Sequence, residues 1–166
     1  MVNVITLLND ERIQYDGPFD LGEFYKHAYN FLFWRKFDVT EKRYTEKNKS
    51  AGKEFKIEWE ASKFFDEYSR IVIKVRFELY MINDIEVKTD TKTKKMQKGE
   101  VNAYVTAELQ TDRQDYWAQN VFFSFMRGFY DRYIYRSSIE RLKGEVWKNG
   151  WDFFNELKAF LQLYRY

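Results

Sequence analysis

Hydrophobic and polar positions along this chain follow two different periods. Phe55, Ile57, Trp59 and Ala61 alternate with Glu54, Lys56, Glu58 and Glu60. Ile71, Ile73, Val75, Phe77, Leu79 and Met81 alternate mainly with Lys74, Arg76 and Glu78, and Val101, Ala103, Val105, Ala107 and Leu109 with Glu100, Asn102, Tyr104, Thr106 and Glu108. A period of two predicts antiparallel strands with one dry face and one wet face. Residues 37–46 read as a weaker strand of the same kind. Residues 2–8 read as a first strand, closed by a turn at 15–19 where Gly17 and Pro18 supply special backbone angles.

Helical spacing appears on both sides of this block. Asp20 stands where an N-cap belongs, Glu23 three residues on completes a capping box, and Phe19 with Phe24 has the spacing of a hydrophobic staple. Leu21, Phe24, Tyr25, Ala28, Tyr29, Phe31, Leu32 and Phe33 then cover an arc of roughly 200°. That width predicts a helix covered on more than one side, with His27 turned to solvent. The helix is expected to end before Trp34, whose ring then turns inward.

A second apolar helix is predicted over 115–136, from Val121, Phe122, Phe123, Phe125, Met126, Phe129, Tyr130 and Tyr133. A third runs from a capping box at Ser137 and Glu140 to about residue 164. Gly144 and Gly150 weaken this last helix by roughly 1 kcal/mol each relative to Ala. Ala61, Ala103 and Ala107 are small residues among large dry-face neighbours, which predicts a helix packed close against the sheet.

Residues 81–87 allow either a hairpin at Asn83 and Asp84 or an uninterrupted strand. A two-residue hairpin would turn Ile85 and Val87 to the wet face, so the pattern favours one long bent strand over 70–91, followed by a turn at 93–99. A long strand places the basic turns at 47–53 and 93–98 at the same end of the sheet.

The predicted fold is therefore α+β: a curved antiparallel sheet of five to six strands, one helix from the N-terminal half and two long C-terminal helices, in a single domain over 1–166. This element order resembles the helix-grip arrangement of the START and Bet v 1-like superfamily. The likeness is one of element order alone, and it implies architecture without a site.

Composition narrows function by exclusion. The chain has 16 Phe, 13 Tyr and 5 Trp beside one His, one Pro and no Cys. Without Cys there are no disulfides, thiolate nucleophiles or Cys-based zinc sites, and a single His cannot build a multi-histidine centre. No metal or cofactor is expected. The first ten residues lack a basic start and a cleavage site, and no long uncharged apolar run is present, so a cytoplasmic protein without an integral membrane segment is expected.

No phosphate-cradling glycine loop or nucleophile elbow occurs, and no catalytic residue is assigned. Glu58, Glu60 and Glu78 read as cross-strand partners of Lys74 and Arg76. Net charge is +2. Positive charge gathers in connections, where Lys47, Lys49, Lys53, Lys92, Lys94, Lys95 and Lys98 suit a phosphate backbone or an acidic partner.

Three functions are carried forward in order. The first is an interaction protein that binds a protein or an RNA-protein assembly through these turns and exposed rings. The second is a binder of an apolar small molecule between the sheet and the last helices, lined by Trp59, Phe77, Trp147, Trp151 and Phe154. The third is peripheral membrane docking through the 115–136 helix. The rings with no assigned packing role are Trp34, Tyr44, Tyr80, Tyr104, Trp147 and Trp151.

Overall fold

The computed structural model describes residues 3–88, 90–111 and 136–163. Five strands, β1 (Asn3–Phe19), β2 (Asp38–Lys49), β3 (Gly52–Phe64), β4 (Ser69–Lys88) and β5 (Thr93–Thr111), form one antiparallel sheet in the order β1-β5-β4-β3-β2. Helix α1 (Leu21–Trp34) follows β1, and α2 (Arg136–Gln162) closes the described chain. Two long C-terminal helices were expected. Among the described residues there is one, and the helix expected over 115–136 lies outside them. Arg136 is already helical, so Ser137 sits inside α2 and does not cap it.

β1 is far longer than residues 2–8. It continues through the expected turn, with Gly17 opposite Gly99, Pro18 opposite Lys98 and Phe19 opposite Gln97. Proline lacks an N–H to donate, and a sheet edge is the place where that loss is tolerated. Irregular register around Leu8, with Asp10 at φ 52°, bends the strand on the way.

β4 is a single long strand, as the alternation required. Dry odd positions hold through Leu79, then a bulge inserts one residue. Met81 takes φ 54° and is half exposed, while Ile82 is buried in its place. The bulge sits between two glycines on the flanking strands. A Cβ on Gly99 would lie 2.5 Å from Ile82 Cδ1 and 2.8 Å from the Met81 carbonyl oxygen, and one on Gly52 would lie 2.8 Å from the Met81 carbonyl carbon. The turn expected at 93–99 is strand instead, because Thr93 through Lys98 continue pairing with β4 as far as Lys88.

The local signals around α1 describe its start well. Asp20 Oδ1 accepts from the Glu23 amide at 3.0 Å, and the Phe19 and Phe24 rings meet edge to face at 6.2 Å. The helix ends in a Schellman motif, with Lys36 N–H donating to Phe33 O and Phe37 N–H to Leu32 O. The residue that takes the left-handed conformation there is Lys36 at φ 69°, where glycine is usual.

Only Phe24, Ala28 and Leu32 of α1 are fully buried. The arc covered by the sheet is thus narrower than the arc of apolar residues. His27 is turned to solvent only in part: its side chain is 37% exposed, while its ring stacks on Phe160 of α2 at 4.9 Å, with Nε2 3.0 Å from Glu156 Oε1.

α2 crosses β1 and β5 and touches α1. Of the small dry-face residues, Ala107 has the predicted purpose, since a Cβ on Gly150 would fall 2.8 Å from Ala107 Cβ and 3.2 Å from Leu8 Cδ1. Gly150 is therefore a point of close approach between helix and sheet. Phe153, Leu157 and Leu161 continue the same stripe into the core.

Candidate functional site

Among the described residues, the side of the molecule where α1 overhangs β2 and β3 exposes a cluster of neighbouring rings. Phe24 packs edge to face on Phe77 at 5.4 Å, and Tyr25 on Trp59 at 5.0 Å, which fixes α1 over β3 and β4. Tyr25, Tyr29 and Phe33 recur every fourth residue and so form one ridge along the helix. Tyr29 is 40% exposed, Phe33 53% and the neighbouring Trp34 73%. Tyr29 and Phe33 stack at 6.2 Å, and Phe33 meets Trp34 edge to face at 5.8 Å. Trp34 does not turn inward as expected, because α1 runs through it and carries the ring onto the outer side.

A cleft of about 520 Å³ opens beside this ridge, lined by Leu21, Tyr25, Lys26, Tyr44, Phe55 and Ile57 among others. It runs into a more polar recess of about 380 Å³ toward Lys49, Gly52, Lys53 and Asp84, the two sharing Leu21, Phe55 and Gln97. One carboxylate fixes its inner wall. Glu41 Oε2 accepts from Tyr25 Oη at 2.7 Å and from Trp59 Nε1 at 3.0 Å. Burial, together with the adjoining Glu41 charge, pushes the Tyr25 phenol up to about 12, so it remains a donor across the physiological range. Burial also raises Tyr44, with Glu46 and Glu41 adding to the effect.

The basic turns do lie toward the same end of the sheet, since Lys53 is opposite Ile82 and β4 continues to Lys88 beside Thr93. They are staggered, however. Six further residues of β4 separate the two tips by roughly 20 Å. Lys49 is bonded to Glu54, Lys53 lies 3.3 Å from Glu46, and Lys94 3.2 Å from Asp20. Lys47 pairs in register with Glu54, Lys95 with Glu86, and Lys98 with Asn83 and Pro18, while Lys92 stands in the β4–β5 connection. Lys49, Lys53 and Lys94 thus lie beside carboxylates, and the two basic tips are separated along the sheet.

The five aromatic ligand candidates separate into two groups. Trp59 and Phe77 are buried beneath α1, their rings 5.3 Å apart. Trp147, Trp151 and Phe154 run along α2, with Trp147 54% exposed and successive ring distances of 6.1 and 5.2 Å. Among the described residues no ring contact joins the groups. Phe154 borders a smaller recess of about 230 Å³ between β1 and α2, and the larger cleft is the one at α1.

The wet face carries ion pairs, but with partners other than those expected: Glu78 meets Arg76 within β4, Glu58 meets Arg43, and Lys74 meets Glu108. Arg76 approaches both Glu78 and Asp10, Arg43 lies 3.7 Å from Glu58, and Lys74 lies 3.3 Å from Glu108. Tyr104 has the Arg76 guanidinium over its ring at 4.2 Å, which gives that aromatic a structural partner. Tyr80 donates to Glu78. No group of three or more potential metal ligands occurs among the described residues, and no described helix is long and apolar enough to cross a membrane. The membrane-docking helix proposed over 115–136 lies outside the described residues. No known protein family, curated protein or solved structure matches this chain.

Proposed function

We propose that the protein is a non-enzymatic binding protein that docks a partner protein on the face formed by α1 and the β2–β3 hairpin. The observation that carries this reading is the contiguity of Tyr29, Phe33 and Trp34, all exposed, along one side of a helix that overhangs an apolar cleft. Large rings left in water cost solvation free energy in the isolated molecule, and such rings are enriched at protein interfaces. The basic turns would form its charged rim. A protein partner is favoured over an RNA backbone because the exposed rings are contiguous, whereas the two basic tips stand roughly 20 Å apart along β4. In this reading the protein works in the cytoplasm, and its sheet and last helix keep their likeness to the helix-grip arrangement.

The test is affinity capture from the source cells at low and moderate salt, with the native chain and a Tyr29→Ser/Phe33→Ser/Trp34→Ser variant in parallel. A bound protein kept at moderate salt by the native chain and lost by the variant is expected. Equal capture by both removes the surface from consideration. Capture of RNA that depends instead on Lys94, Lys95 and Lys98 would move the site to the basic turns.

The cleft volume supports a second reading, a bound apolar small molecule, because about 520 Å³ falls within the range of ligand pockets. In that reading the ligand would lie beside α1, and not beneath the last helix. Native mass spectrometry of the purified protein would show a small-mass adduct that disappears on Tyr44→Trp.

A further inference from the structure

We propose that the free edge of β2 receives an extended segment of the partner in which apolar and acidic residues alternate. This rests on the partner-docking reading above and states how the partner's chain would lie. β2 ends the sheet order, and ten of its twelve residues are exposed. Its register slips between Glu41 and Arg43, so residues 43–49 form the regular stretch beyond the bulge. A strand added there would lie about 4.8 Å outside β2, with alternate side chains facing opposite sides of the sheet.

The two sides differ in chemistry. On the helix side, Tyr44 lines the cleft with Tyr25, Phe55 and Ile57, so inward side chains of the added strand meet apolar surface. On the opposite side, Arg43 faces Glu58 and Lys42 borders the recess that contains Lys74 and Arg76. Residues 43–49 carry Arg43, Lys47 and Lys49 against Glu46, and although Arg43 and Lys49 also meet Glu58 and Glu54 of β3, both cationic side chains remain more than half exposed. Lysines along an edge repel another copy of the same edge and any purely apolar strand. Those same cations favour a strand with carboxylates at every second position, so the feature that guards against self-association also selects the partner.

The probe is a fluorescein-labelled ten-residue peptide of alternating Val and Glu, with two controls: the same residues in shuffled order, and Lys in place of Glu. Anisotropy titrations on the full chain should show the alternating peptide binding at least tenfold more tightly than either control. Amide hydrogen exchange over residues 43–49 should slow in the complex. Tyr44→Ser and the Arg43→Gln/Lys47→Gln pair should each weaken binding at least fivefold, with a melting temperature little changed because these side chains are exposed and Gln sets no like charge opposite Glu58 or Glu54. Equal binding of the shuffled peptide, or binding without slower exchange on β2, overturns the proposal. If the peptides fail while capture still depends on Tyr29, Phe33 and Trp34, the edge assignment falls and the docking surface stands. Loss of that dependence removes the surface itself.

Discussion

At the scale of single residues, two glycines in one helix have opposite roles. A methyl group on Gly150 would meet Ala107 at 2.8 Å, whereas nothing lies within 4 Å of a methyl on Gly144. Gly144→Ala should therefore stabilise by about 0.5–1 kcal/mol through helix propensity. Gly150→Ala should destabilise by about 1 kcal/mol or more, since overpacking outweighs the same propensity gain. Urea denaturation of both variants checks the sign. Lys36 at φ 69° is strained in a position suited to glycine, so Lys36→Gly should raise stability by about 1 kcal/mol on the same assay. Asp20 titrates in a particular direction as well. Burial opposes its charge, but amide hydrogen bonds from Glu23 and Gly22 and the Lys94 ammonium outweigh that and hold its pKa below the ordinary value. A depressed carboxylate stabilises the fold above its unfolded pKa of about 3.9 and loses that contribution as pH falls through the folded pKa. The stability advantage of the native chain over Asp20→Asn should accordingly vanish below about pH 4 in denaturation curves taken across pH.

At the scale of elements, α1 is held at both ends by contacts that its own periodicity does not contain. Its start is tied to β5 by the Leu21 amide donating to Gln97 Oε1 at 2.9 Å, and its end to α2 by Arg35 and Asp152 at 2.8 Å. Both members of the Arg35 pair are over a third exposed, so solvent screens the attraction. A double-mutant cycle with Arg35→Ala and Asp152→Ala should yield a coupling of about 0.5 kcal/mol, measured by thermal unfolding. The β4 bulge is likewise a property of three strands, since Gly52 and Gly99 on its neighbours leave the room that Met81 and Ile82 occupy. Alternation alone predicted one long β4. It did not reveal that Met81 would turn outward, because the extra residue is accommodated by strands that come before and after β4 in the chain.

At the scale of the whole molecule, the rings fall into two populations. Phe19, Phe24, Phe77 and Phe153 are wholly buried, whereas Tyr29, Phe33, Trp34, Tyr44 and Trp147 remain in water. Replacing Phe33 and Trp34 with Ser should change stability by no more than about 0.5–1 kcal/mol per site, and Tyr29 by somewhat more because its ring also meets Trp59 at 6.3 Å, while abolishing partner capture. The strand periods, the α1 start at Asp20 and Phe19, and the long β4 were legible because each is encoded within a few neighbouring residues. Trp34 was misplaced, and His27 in part, for one shared reason: a helical wheel shows which residues share a face, but not which faces other elements cover. The sequence by itself determined an α+β chain with antiparallel strands, a capped first helix and no Cys or multi-histidine chemistry. Only the tertiary structure decided that Gly150 meets Ala107, that Glu41 joins Tyr25 to Trp59, and that α1 leaves a cleft above β2. These depend on residues far apart in the chain, Gly150 and Ala107 by 43 positions and Leu21 and Gln97 by 76, whose meeting is set by the competition among all apolar faces for a shared core and not by any local pattern.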